Sequence, residues 1–211
     1  MTIASFERLG AACFMVGSTL LAGYAVLFAV LIPVGGAGAD YSLVVLDSNW
    51  RRLSLVAFIA ILFMLTGLDA VFSRIRATAG LTGTIGFVFT KITFVLQACM
   101  LTWELLLDPI IAANAGSAFL LREGIIANDP GMVIFRWGAI VSILLSTILF
   151  GLAIYRSKEF PSSALALIII GAVVYAIGPM ISIILAVAGV IALSVGCILI
   201  GARLWRAPKP A

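Results

Sequence analysis

From Ser163 to Ala202 the chain runs 40 residues without a charged side chain. As one helix this stretch would reach about 60 Å, twice the roughly 30 Å hydrocarbon core of a bilayer. It therefore has to fold back. Gly178-Pro179 is the expected divide, because proline ends a helix and glycine permits a reversal. Apolar stretches of similar character recur along all 211 residues, which are 64% hydrophobic and 10% charged. An ordinary globular chain carries roughly 25% charged residues. The pattern predicts an all-α fold, a polytopic transmembrane helical bundle forming a single integral membrane domain.

Six spans are expected: Leu9–Pro33, Leu53–Ser73, Thr82–Leu107, Phe135–Tyr155, Ser163–Ile177 and Met180–Ala202. Six crossings put Arg8, Arg74, Arg76, Arg156, Lys158, Arg203, Arg206 and Lys209 at one surface. Arg51, Arg52, Arg122 and Arg136 then lie at the other. The basic-rich surface is cytoplasmic by the positive-inside rule, so both termini are expected inside. Trp50, Trp103 and Trp137 fall at the outer boundary and Trp205 at the inner one, as an aromatic belt would. Leu9–Pro33 is too long for a signal core and reads as a retained first helix, although Ala37-Gly38-Ala39 follows it. In the outer connection, Ala118 to Ala127 flanks Arg122-Glu123 with apolar residues. That suits either a short interfacial helix or an irregular loop.

The chain contains no histidine. His-ligated haem, chlorophyll or metal is thereby excluded, as is any Ser-His or Cys-His catalytic arrangement. Cys13, Cys99 and Cys197 each stand alone in an apolar stretch and read as small hydrophobes. No phosphate-binding loop, nucleophile elbow or zinc-helix motif is present, and the composition does not suit nucleic acid. No cofactor is expected.

The third span is the most polar. Thr90, Thr93, Gln97, Glu104 and Asp108 fall within a sector of roughly 60° when plotted at 100° per residue. Such a stripe points into a bundle, either as hydrogen bonds between helices or as the lining of a cavity. Lys91 lies near mid-bilayer, where a charge is expensive. Asp69 on the second span is its expected partner, in a structural brace or as a coupling group of a transport path. Glu104 and Asp108 are expected to form an ionic network with Arg51, Arg52 and Arg136 at the outer helix ends, with a cation site as the alternative use of the two carboxylates. Ala188, Ala192 and Gly196 make a ridge of small residues for close contact, within the bundle or in a homodimer.

The first and fourth spans share a pattern. Arg8-x-Gly10-Ala11 … Ser18-Thr19-x-Leu21-x-Gly23-x-Ala25 recurs as Arg136-x-Gly138-Ala139 … Ser146-Thr147-x-Leu149-x-Gly151-x-Ala153. The two intervening spans make the copies cross in opposite directions, as in inverted repeats. The second half carries a further motif, Phe150-Gly151-x-Ala153-x-x-Arg156-Ser157-x-x-Phe160-Pro161, followed by an apolar span with Gly171. Over roughly 136–203 it resembles small bacterial six-helix membrane proteins, a DUF4386-like domain of unknown function. The resemblance implies six spans and a bacterial inner membrane, and it implies no activity.

The first functional expectation is a non-enzymatic integral membrane protein acting as an accessory, assembly or binding subunit. Its partners would be the lipid bilayer and other membrane-protein subunits. The alternative is a small transporter with a polar path along the third span, and the third is a membrane-embedded enzyme. A cavity reaching Gln97 from either surface would favour transport; a filled bundle would favour the subunit.

Overall fold

A computed structural model describes residues 3–32 and 40–206, and among the described residues it is all helix and turn, with no strand. The long helix α1 (Ile3–Leu31) is followed by a short α2 (Tyr41–Val44) and by α3 (Ser48–Thr102). A π-helical turn, Trp103–Leu107, leads into α4 (Asp108–Ala113) and two further short helices, α5 (Phe119–Arg122) and α6 (Ile125–Asn128). Three long helices complete the chain: α7 (Pro130–Ser157), α8 (Ser162–Ile181) and α9 (Ile183–Arg206). Four helical stretches are long and apolar enough to cross a membrane: Ser5–Leu31, Ser48–Ala113, Pro130–Ser157 and Ile183–Arg206. Ser162–Gly178 is a shorter apolar helix. Ala37-Gly38-Ala39 lies outside the described residues.

The stretch Ser48–Ala113 is not one rod. Gly80 has φ 59° and ψ −166°, a backbone state essentially restricted to glycine. Around it the chain reverses. The Phe72 and Phe87 rings stack with centroids 4.1 Å apart, although a straight helix would separate them by about 22 Å. Two antiparallel limbs result, 48–79 and 81–102, which carry the stretches Leu53–Ser73 and Thr82–Leu107.

The second hairpin turns later than the sequence suggests. Helix α8 continues through Gly178 and Pro179 to Ile181, and the reversal falls on Ser182, which is extended at φ −163° and ψ 141°. The Ser182 hydroxyl oxygen accepts from the Ile184 N–H at 3.2 Å and so caps α9. Gly178 serves packing instead: a Cβ there would lie 2.6 Å from the Ala186 nitrogen.

The helical rods stand in a closed ring. Helix α1 packs on limb 48–79, where a Cβ at Gly17 would meet the Ala60 carbonyl oxygen at 2.7 Å. The limbs pack on each other, limb 81–102 packs on α7, α7 on α8, and α8 on α9. Helix α9 then closes on α1, its Gly201 facing Met15 and Ala11. Across the ring α9 barely touches α3. Every neighbour is antiparallel. The small-residue ridge on α9 is split by this packing. Gly196 is buried against Ala164 and Ile168 of α8, while Ala188 is exposed. The shared letters of the first and fourth spans likewise serve different surroundings, since Gly10 abuts Ala70 and Gly138 faces open space.

At the Gly80 end, Arg74 pairs with Glu159 at 3.1 Å and Arg203 donates to the Glu159 carbonyl at 3.3 Å, tying the α7–α8 connection to its neighbours. The opposite end is capped by the short helices. The stretch from Ala118 to Ala127 forms no single interfacial helix, because Gly124 (φ 68°) separates α5 from α6. Leu121 is instead buried with Val44, Val45 and Trp50.

Candidate functional site

The rods surround a partly open cavity of about 210 Å³ to which every rod contributes, among others through Tyr24, Met64, Gln97, Ser146, Tyr175 and Cys197. Toward the Gly80 end its wall is apolar, with Val71, Ile154, Leu165 and Ile200. Toward the other end the polar stripe enters. Thr90, Thr93, Gln97 and Glu104 all line the cavity, so the 100° periodicity located its polar wall.

These groups also tie helices together. The Thr90 and Thr93 hydroxyls donate to the Gly86 and Phe89 carbonyls at 2.8 and 2.9 Å. Thr93 further shares a 2.7 Å hydrogen bond with Ser142 of α7. Tyr175 of α8 donates to the Gln97 side-chain oxygen at 3.2 Å, so the amide of limb 81–102 is held by a helix two places away around the ring.

A second space of about 310 Å³ lies beyond the cavity at the capped end. Tyr41, Trp103, Asp108, Phe135 and Arg136 are part of its wall, and Met100 and Glu104 belong to the walls of both spaces. Glu104 therefore stands at the junction of an outer vestibule and the inner cavity. It sits on the π-helical turn, an irregularity frequent at functional sites. Trp50 secures the turn, its indole donating to the Glu104 carbonyl at 2.9 Å.

The ionic network expected here does not form as drawn from the sequence. Arg51 and Arg52 are exposed, and the ion pairs among the described residues are Arg74–Glu159 and Lys91–Asp69. The reason is rotational: Trp50 takes the inward position at the start of limb 48–79, at 3% exposure, and the two arginines that follow turn away. Trp50 is thus a core residue and no member of a surface belt; Trp137 and Trp205 are exposed.

Asp108 instead accepts from the Tyr41 hydroxyl at 2.8 Å, with the Trp103 indole beside it. Its residue is only 3% exposed, and its other oxygen, Oδ1, is buried without a hydrogen bond. Burial, and then the neighbouring Asp108 carboxylate, hold the Tyr41 phenol well above its ordinary pKa, so it remains a donor throughout the usable pH range. The Glu104 carboxylate makes no hydrogen bond or ion pair among the described residues. Its charged neighbours are Asp108 and Arg136. Arg136 is exposed, and its guanidinium donates to the Ala127 carbonyl at 3.4 Å.

Lys91 and Asp69 do meet, Nζ to Oδ1 at 2.6 Å, with the ammonium also 4.8 Å above the Phe87 ring. Their side chains are 40% and 42% exposed and form no part of the cavity wall. The pair braces the outer face of the hairpin and is not placed as a coupling group for the cavity. Cys13, Cys99 and Cys197 are free thiols, with Cys197 buried in the core. Among the described residues no cluster of three or more metal-ligating side chains occurs.

The aromatic and hydroxyl partners of the site, Tyr24, Tyr41, Trp50 and Tyr175, were not legible as site residues, since none breaks the hydrophobic pattern of its segment. Comparison with protein-family models, with curated proteins and with solved structures finds no match to this chain.

Proposed function

We propose that the chain is an integral membrane protein of six crossings, with both termini in the cytoplasm of a bacterial cell. In this reading it takes a small, largely apolar molecule into the cavity at the centre of its helix ring and acts as a carrier. One observation carries the reading: the cavity walled by all six rods, with Glu104 standing between it and the vestibule. An engineered apolar cavity of about 150 Å³ holds a benzene-sized ligand, so 210 Å³ leaves room for a somewhat larger one. Six crossings are supported by the reversals at Gly80 and Ser182, and by α8, whose 20 residues give about 30 Å of helix. The orientation is supported by the basic residues gathered at the Gly80 end.

The test is calorimetric titration of the protein in lipid nanodiscs with 4-phenylbutan-1-ol, followed by exchange of the bound probe across proteoliposomes. Ala57 is fully buried and lines the cavity. Ala57→Phe fills part of that space and should abolish binding while circular dichroism remains unchanged. Binding indifferent to Ala57→Phe would reject the cavity as the site.

The subunit reading has one observation in its favour, the Lys91–Asp69 pair on the outer face of the hairpin. In a hydrocarbon setting such a pair gains from a protein neighbour. Native mass after mild detergent extraction separates the two: a stable hetero-complex supports the subunit, a lone chain or homo-oligomer the carrier.

A further inference from the structure

We infer that the ligand of this cavity is a monocation, with an ammonium or amidinium head held between Glu104 and Asp108 and an apolar body extending into the ring. The inference rests on the cavity being a binding site, and it adds the charge and polarity of the occupant. The vestibule wall carries two carboxylates, Glu104 and Asp108, and one guanidinium, Arg136. Neither carboxylate has an ion pair, and Arg136 is engaged with a backbone carbonyl. With both carboxylates ionised the site carries one negative charge in excess of Arg136, and a bound cation favours that state.

Asp108 supplies an independent indication. A carboxylate oxygen buried without a hydrogen bond is expensive, and natural structures complete such an atom with an ordered water, an ion or a ligand group. Asp108 belongs to the vestibule wall, and Tyr41 holds its other oxygen at 2.8 Å. Tyr41 and Trp103 lie in the same wall, and aromatic side chains suit a cationic head. An inorganic cation would gain nothing from the apolar wall beyond Glu104, and an anion would face two carboxylates. A cationic head joined to an apolar body matches both halves of the space.

Three probes of one shape test this on the full chain in nanodiscs at neutral pH: 4-phenylbutylammonium, 4-phenylbutan-1-ol and 4-phenylbutyrate. The ammonium should bind at least about tenfold more tightly than the alcohol, and the carboxylate more weakly than both. Glu104→Gln should bring the ammonium down to the level of the alcohol, while retained alcohol binding shows that the variant is folded. Arg136→Gln removes the competing positive charge and should tighten the ammonium severalfold, a gain that misfolding cannot produce. Equal binding of ammonium and alcohol, or an Arg136→Gln variant that weakens the ammonium, would overturn the monocation and leave the cavity reading standing. Absence of binding by all three probes would overturn both.

Discussion

Three glycines separate what the backbone needs from what the packing needs, and substituting each by alanine tests the two needs apart. Gly80 stands at φ 59° and ψ −166° with open space where its Cβ would be. Gly80→Ala therefore adds no clash and forces only the backbone, at a cost of about 1–3 kcal/mol. Gly17 has helical geometry, but its Cβ would lie 2.7 Å from the Ala60 carbonyl oxygen, where ordinary contact starts at 3.4 Å. Helix α1 and limb 48–79 would have to part by about 0.7 Å, which overpacking data put at about 1–3 kcal/mol. Gly138 is helical and meets nothing, so Gly138→Ala should be neutral or stabilise by about 0.5–1 kcal/mol. Unfolding by titrated denaturing detergent, followed by tryptophan fluorescence, gives all three on one scale. The order Gly138 above wild type, with Gly80 and Gly17 below it, is the expected result. A Gly80→Ala protein as stable as Gly138→Ala would refute the argument that the hairpin depends on a left-handed residue at position 80.

Lys91→Met should destabilise by about 3 kcal/mol, because it leaves Asp69 charged on an apolar face, and the double change Asp69→Leu/Lys91→Met should recover most of the loss. Equal losses in the single and double variants would show that the pair itself contributes nothing. Ser182→Ala removes the cap of α9 and should cost about 0.5–2 kcal/mol in the same titration; a silent substitution would place the helix start elsewhere. Single cysteines at Lys158 and Arg122, in a background with the native cysteines removed, should react with impermeant thiol reagents from opposite faces of sealed vesicles. Reaction from one face alone would remove the six-crossing arrangement.

Helix content and the inward face of the third span were legible because both are periodic properties of side-chain polarity. Thr90, Thr93, Gln97 and Glu104 share one side of a helix whatever surrounds it, and the structure places that side on the cavity. The Lys91–Asp69 pair was legible too, being fixed by two limbs that reverse between them. Turn positions were harder. Gly178-Pro179 is the stronger punctuation in the sequence, yet Ser182 carries the reversal, because a cap depends on one hydroxyl meeting one N–H. The Arg51 and Arg52 network failed for a similar reason: Trp50 takes the inward position at the start of limb 48–79 and bonds the Glu104 carbonyl, so the arginines that follow it face outward. Trp50 shows the same limit, since a tryptophan at a span boundary can face a headgroup or bond a carbonyl inside.

The closed ring also fixes an order of assembly. Helix α1 is made well before one of its two neighbours, α9. Until α9 is made, the Ala11–Met15 flank of α1 must wait without its partner, and the space inside the ring stays open along that seam to lipid chains. Enclosure arrives in one step with the C-terminal helix. A chain ending before Ile183 would lose more than one wall: it would present its polar stripe to the bilayer along an unclosed cleft, a ready signal for a membrane quality-control protease.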